Sequence, residues 1–344
     1  MVGTEFLNGQ GLGNQLFCYI TARCIAKKNG YAFGTAGLEN FGYNIHSQKG
    51  MYFMDLELGE QIKDVSPYKH YDEKEERIFI KNSAHDMLHG CYIAGTDEEM
   101  MHVEDDTLLY GNMQAEDYFR EYKEEIKEWM KVKPEYEVYD CQKDNLCIIN
   151  VRGGEYESST ELFLRRKYWL DAIKQMKKIR SDMEFLIVTD DVRAAEKILP
   201  GIKAMHGGLH EDYCRIKNAK YLILSNSSFA FFPAYTSETL EYAIAPKYWA
   251  RHNVSDGYWA SEQNIYDEFV YMDRKGKLFT PEECRQELAA YRAKPHKKGK
   301  QASADSFVVK YLVFRARVVY YSRKLKMKLL HILHMDKKYG MQAN

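Results

Sequence analysis

Leu146-Cys147-Ile148-Ile149-Asn150-Val151 is an almost unbroken apolar run, the pattern of a strand buried on both faces. A helical stretch over 167–180 follows it, then Phe185-Leu186-Ile187-Val188-Thr189, a second strand of the same kind. Residues 192–199 and 211–219 have helical patterns, and Tyr221-Leu222-Ile223-Leu224-Ser225 is a third strand. Strands separated by helices of this length predict an α/β chain with a parallel sheet covered on both faces. Ligands of such sheets bind outside the carboxyl ends of the strands. Three of these ends carry polar residues: Asn150–Glu155, Thr189–Asp191 and Ser225–Ser228.

Each end has a chemical reading and a plainer one. Arg152 suits a phosphate oxygen, because a guanidinium makes planar, charge-assisted bonds, and Gly153 and Gly154 let backbone approach it; an exposed arginine is the commoner use of the residue. Asp190 and Asp191 offer carboxylates for the N1–H and N2–H donors of guanine. Capping of the next helix is the favoured role for Asp191. Ser225-Asn226-Ser227-Ser228-Phe229 gathers hydroxyl and amide groups at a helix entrance, where capping and phosphate binding both fit.

The first half holds a second loop of interest, Asn8-Gly9-Gln10-Gly11-Leu12-Gly13-Asn14-Gln15. Its glycines let a backbone turn sharply, and a helix N-terminus after such a turn points N–H groups at an anion. The spacing is neither Walker A nor GxGxxG, so a tight turn and a ligand cradle both stand. Residues 2–8 make a poor strand before it, and a helix over 14–29 ends at Gly30. Segment 31–95 is mixed, with strand-like Ile78-Phe79-Ile80 and Cys91-Tyr92-Ile93-Ala94. Thr107–Asn112 is a strand entering a loop, and 116–131 has helical spacing. Lys133-Pro134 breaks the pattern and divides the chain into 1–135, 140–290 and a tail over 294–344.

The chain has 344 residues, 45% hydrophobic and 29% charged, a globular composition. No apolar run reaches membrane-spanning length, and no basic-then-apolar leader is visible. Seven scattered cysteines without zinc spacing predict reduced thiols and a cytoplasmic chain; Cys18, beside the glycine loop, reads as packing. No metal site is expected.

Charge is uneven. Residues 294–344 hold thirteen Lys/Arg against two acids, and residues 1–293 hold 36 against 48, so a tail of +11 follows a body of −12. Lys294–Lys300 reads as a linker. In residues 305–333, Phe307, Tyr311, Phe314, Val318, Tyr321, Leu325, Leu329 and Ile332 recur every three or four positions among basic residues. Such a helix suits an anionic membrane surface or docking on the acidic body. A nucleic-acid partner is not expected from a body of this charge.

Taken in order, these blocks resemble the α-1,2-fucosyltransferases of glycosyltransferase family 11, and more distantly the protein O- and α-1,6-fucosyltransferases. GQGLGNQLFCYI over 9–20 matches the family's GGLGNQ-type loop and helix. Gly111–Phe119 matches an aromatic GYWQSEKYF-type block, and Asn150–Tyr156 an HxRRGDY block. Thr189-Asp190-Asp191 matches SDD, Ser225–Phe232 matches ANSSFSWW, and Ala245–Trp249 matches APKxW. The likeness runs from about 7 to 280.

It implies a GT-B architecture, two Rossmann-like domains facing a cleft, and an inverting transfer of fucose from GDP-fucose without an obligatory cofactor or metal. The acceptor would be a glycan or lipid-linked glycan hydroxyl, giving an α-1,2-type linkage in surface polysaccharide synthesis. Arg152 would contact the β-phosphate, Asn14 would reach toward sugar and phosphate, and Asp190 would hold guanine. Gly11, Gly13, Asn150, Gly154, Asp191, Asn226, Ser227, Ser228 and Phe229 would complete the donor site. Gln114 and Glu116 fall on the acceptor side. Glu155 would be the base or the ion-pair partner orienting Arg152, with Glu116 and His85 as weaker bases.

Three positions depart from the family: Asn150 stands for His, Gly153 for the second Arg, and Glu155 for Asp. A lost arginine removes a charge-assisted bond worth about 1.5–3 kcal/mol. A different nucleotide sugar, or a non-catalytic nucleotide- or glycan-binding protein on the same fold, are the alternatives.

Overall fold

The computed structural model describes residues 1–43, 50–74, 76–79, 84–93, 95–159, 162–249, 252–253, 265–293 and 301–332. The first unit runs β1 (Val2–Glu5), α1 (Leu12–Asn29), β2 (Phe33–Ala36), β3 (Glu60–Gln61), β4 (Lys69–Asp72), β5 (Glu76–Ile78), α2 (Ala84–Leu88), β6 (Cys91–Ile93), β7 (Thr107–Tyr110) and α3 (Lys123–Trp129). Five strands form a parallel sheet in the order β3-β2-β1-β7-β4, while β5 and β6 pair separately. The second unit runs β8 (Leu146–Val151), α4 (Arg166–Ile179), β9 (Glu184–Thr189), α5 (Val192–Ile198), β10 (Ala204–Met205), α6 (Leu209–Lys217), β11 (Tyr221–Ile223), α7 (Ser228–Tyr235), β12 (Tyr242–Pro246), β13 (Val270–Met272), β14 (Leu278–Phe279) and α8 (Pro281–Ala293). Its sheet order is β10-β9-β8-β11-β12-β13-β14, parallel except for β14. That is the doubly wound Rossmann order, reversing between β8 and β11. The first sheet also reverses at its centre, between β1 and β7, but with β4 outermost; two Rossmann-like units of this kind make a GT-B architecture.

The apolar run of β8 follows from this position. Leu146 and Ile148 point into the core shared with α6 and α7. Cys147, Ile149 and Val151 point into the core built by Trp169 and Met176 of α4 and Ala195 and Ile198 of α5. Both faces are covered, so no polar alternation survives.

α1 is buried at 13 of its 18 positions because it lies between its own sheet and α7 of the other unit. Phe17 of α1 meets Phe231 and Phe232 of α7 with ring centroids 4.8 and 4.7 Å apart. Phe119 joins the same cluster through Tyr235 at 5.7 Å. The seam between the units is therefore a packed aromatic core.

The single helix expected over 116–131 is not formed. Two short 3₁₀ turns, Glu116–Tyr118 and Arg120–Tyr122, precede α3. Phe119 sits between them at φ −137°, ψ −1°, with its ring fully buried. Packing of that ring against α7 overrides the helical spacing. The strand expected at 78–80 reaches only Ile78; Ile80 and Ala94 lie outside the described residues, as does the linker 294–300. Residues 2–5, an unpromising strand by composition, form the centre of the first sheet.

The tail forms α9 (Phe307–Ile332). Its start docks on α2, where Val309 and Leu312 pack with Met87 and Leu88. The Met87 carbonyl accepts the Ala302 N–H at 2.8 Å, and the Leu88 carbonyl accepts Gln301 Nε2 at 2.7 Å. Among the described residues, no helix is long and apolar enough to cross a membrane.

Candidate active site

The order reversal between β8 and β11 opens a crevice at their carboxyl ends, and both ends carry polar groups predicted to act. Asn150 and Ser225 bridge it: Ser225 Oγ donates to Asn150 Oδ1 at 2.7 Å, and Asn150 Nδ2 donates to the Val188 carbonyl at 3.4 Å. Both residues are buried.

Arg152 follows at the exit of β8, partly exposed. Its Nη2 donates to Glu155 Oε1 at 2.5 Å, and its Nη1 lies 2.6 Å from Asp190 Oδ2. The guanidinium carbon sits 5.5 Å from the centre of the Tyr156 ring. The two carboxylates differ in environment: the Glu155 side chain is 53% exposed and that of Asp190 12%.

Asp190 also accepts the Gly153 N–H through Oδ1 at 2.7 Å, so it shapes the turn as well as pairing with the arginine. Gly154 adopts φ +51°, and a Cβ there would stand 3.0 Å from Asp190 Oδ2, which is why glycine fills it. A Cβ on Gly153 would stand 2.6 Å from Asp191 Cβ and 3.1 Å from Ala194 Cβ. The start of α5 thus occupies the space into which an arginine at 153 would have to grow. Asp191 caps α5, its Oδ1 accepting the Ala194 N–H at 3.0 Å, the role favoured for it by sequence.

Asn226 is buried and acts as a latch: its Nδ2 donates to the carbonyls of Leu162 at 3.0 Å and Trp249 at 3.4 Å. Asn253 holds the same loop, donating to the Phe163 carbonyl at 2.8 Å. Ser227 precedes α7 without capping it through its side chain, and Gly11 precedes α1 likewise. The first N–H groups of both helices therefore have no side-chain cap from these residues.

These two helix starts meet. A Cβ on Gly13 would stand 2.3 Å from both the Phe229 nitrogen and the Ser228 carbonyl carbon. Gly13 is thus a point of backbone contact between the units, while a Cβ on Gly11 would enter open space. Asn14, one residue further, accepts through Oδ1 from Gln114 Nε2 at 3.1 Å. The Gln114 carbonyl accepts from the Tyr266 hydroxyl, tying the loop after β7 to the second unit.

Glu116 has a different setting. It is buried, 3.0 Å from Arg120 Nη2 and 3.7 Å from Arg285 Nη2. Burial, with Glu268 adding to it, pushes its carboxyl up to about 7 against the opposing pull of Arg120. The His85 side chain lies outside the described ones. Cys18 is buried, its Sγ accepting from Gln10 Nε2 at 3.4 Å and donating to the Gly111 carbonyl at 3.5 Å; burial pushes its thiol up to about 12, consistent with packing.

Sequence reasoning missed Glu73, which organises the loop after β7. Its Oε2 accepts the N–H groups of Asn112 and Met113 at 2.9 and 2.7 Å, and its Oε1 accepts from the Tyr118 hydroxyl at 2.8 Å. It also missed His252, which burial pulls down to about 3 and which packs on Tyr168 at 5.0 Å. No local motif marks either residue; only the register of distant segments brings them in.

Fold and site together define a protein of two Rossmann-like units whose second unit carries an arginine at its switch point and whose helices α1 and α7 meet at starts that Gly11 and Ser227 do not cap. No family model matches the chain. Over 160 residues it is 28% identical to an alpha-1,2-colitosyltransferase of Escherichia coli, a stretch covering 40% of this chain and 54% of that protein. The chain thus matches about half the length of that curated relative. Among solved structures, it is similar to a NodZ alpha-1,6-fucosyltransferase soaked with GDP-fucose, at TM-score 0.42 and 11% identity over 81% of this chain and 99% of that one. A glycosyl transferase family 9 protein of Veillonella parvula gives TM-score 0.42 and 10% identity over 93% and 97%. A mutant of Arabidopsis thaliana FUT1 in complex with GDP gives 0.39 and 8% over 80% and 78%.

Proposed function

We propose that this chain is an inverting glycosyltransferase that moves a fucose-type sugar from its GDP derivative to a glycan hydroxyl. The observation that carries the reading is Arg152 at the β8/β11 switch point, in the same crevice as the starts of α1 and α7. A nucleoside diphosphate leaving from a sugar carries negative charge that must be met as the bond breaks. Arg152 supplies a fixed cation, and the Ser227 and Ser228 hydroxyls and helix N-terminal amides supply further donors. In this reading these groups, rather than a metal or cofactor, are what meet the charge.

In the mechanism, the bond between the sugar anomeric carbon and the β-phosphate oxygen breaks, and the acceptor oxygen bonds to that carbon from the opposite face. Glu155 takes the acceptor proton. It is the more exposed of the two carboxylates on Arg152, so an incoming diphosphate displaces it more easily than Asp190 and frees it to act as a base. Asp190 stays to hold the turn. Gln114 keeps Asn14 turned toward the donor sugar, and the acceptor enters from the first unit.

The donor sugar is the open chemical choice. The curated relative is described by colitose, which is fucose lacking one hydroxyl, and this sequence lacks the second arginine of the fucosyltransferase block. GDP-fucose and a deoxy analogue are both reasonable donors for such a site. The acceptor is a glycan or lipid-linked glycan, the linkage of α-1,2 type, and the setting cytoplasmic surface-polysaccharide synthesis. The test is sugar release and transfer with a panel of sugar nucleotides: turnover of GDP-fucose or GDP-colitose, lowered about a hundredfold or more by Arg152→Ala, supports the reading. Turnover only of a uridine-linked sugar, or GDP binding without turnover of any donor, would overturn it.

A further inference from the structure

We propose that α9 lies flat on an anionic phospholipid surface and holds the acidic body against it. The docked and undocked parts of this helix differ sharply. Val309 and Leu312 are buried against α2. On another face, Phe307, Tyr311, Phe314, Val318, Leu325 and Leu329 are 82, 54, 64, 50, 60 and 52% exposed. Their separations of three, four and seven residues keep them along one side of a helix. That row is far more apolar surface than scattered exposed residues would leave.

Charge selects the occupant. Within 307–332 the sequence holds Lys310, Arg315, Arg317, Arg323, Lys324, Lys326 and Lys328 and no acid. A second copy of this helix packed on the same row would bring like charges together on both flanks, where a helical pair needs opposite ones. An anionic headgroup layer meets the basic flanks while its acyl boundary takes the apolar row. The helix is too polar to span, so it rests in the interface. The body's charge of −12 repels the same surface, leaving the tail as the point of attachment. Attachment through α9 is independent of the donor sugar and of catalysis.

The experiment is flotation of the full-length chain with vesicles of phosphatidylcholine alone or containing phosphatidylglycerol. The chain should float with the anionic vesicles, remain behind with the neutral ones, and detach as salt is raised. Phe314→Glu with Val318→Glu should lower partitioning about tenfold or more, with an unchanged thermal midpoint because both side chains are exposed. Leu325→Glu with Leu329→Glu is the second variant, further from the α2 contact. Equal partitioning on neutral vesicles, retention by both variants, or a concentration-dependent dimer that these substitutions dissolve while vesicles go unbound would overturn the proposal.

Discussion

Gly13 of α1 and Phe229 of α7 touch backbone to backbone: a Cβ on Gly13 would stand 2.3 Å from the Phe229 nitrogen. This contact fixes how closely the two helix starts approach across the seam. Gly13→Ala should therefore lower stability by about 1–3 kcal/mol, the usual cost of overpacking. Gly11→Ala, whose Cβ meets nothing within 4 Å, should cost less, under about 1 kcal/mol through its N-cap position. Thermal denaturation of the two variants checks this; equal losses would mean the close approach is not sustained.

Gly153 separates this chain from the two-arginine block it resembles, and α5 is the reason. Gly153→Arg should destabilise the fold without improving donor turnover, since its Cβ would press on Asp191. Asp191→Ala should cost about 1 kcal/mol through loss of the cap. A Gly153→Arg variant that is as stable as the parent and faster in transfer would show that the start of α5 is not an obstacle.

Glu155 and Arg152 should separate kinetically. Arg152→Ala should lower kcat by about a hundredfold or more, as removal of a charge-stabilising donor does. Glu155→Gln should lower transfer to acceptor by a similar factor, about a hundredfold, while GDP affinity is kept. A Glu155→Gln enzyme with a raised donor KM and normal kcat would assign Glu155 to bracing Arg152 alone.

Glu116 should give stability a pH dependence. Its carboxyl is raised from 4.5 to about 7, first by burial and then by Glu268. Between those values the folded chain keeps a proton that the unfolded chain has lost, so this contribution is greatest below 4.5 and declines as pH rises toward 7. Glu116→Gln removes that decline. The midpoint of the variant relative to the parent should rise between pH 5 and about pH 7 and level off above it; parallel curves would contradict the raised carboxyl.

Much of the second unit was legible because its strands are buried on both faces. The run 146–151 and its two successors announced a parallel sheet, and their polar ends marked the crevice. The first unit was harder to read. Central β1 contains Gly3, Thr4 and Glu5 and is held by neighbours at Phe33–Ala36 and Thr107–Leu109, which local propensity does not register. Helical spacing misled at 116–131 because Phe119 packs across the seam. In the site, Arg152 and the cap at Asp191 could be read from sequence. The grip of Asp190 on the turn, the Ser225–Asn150 bridge and the role of Glu73 depend on residues distant in the chain.

A structure of the chain soaked with GDP would locate the donor site outright. The diphosphate should lie against the Arg152 guanidinium at the β8/β11 crevice, within hydrogen-bond reach of Ser227 or Ser228, with Glu155 turned away from the arginine. A nucleotide bound elsewhere, with Arg152 still paired to both Glu155 and Asp190, would contradict it.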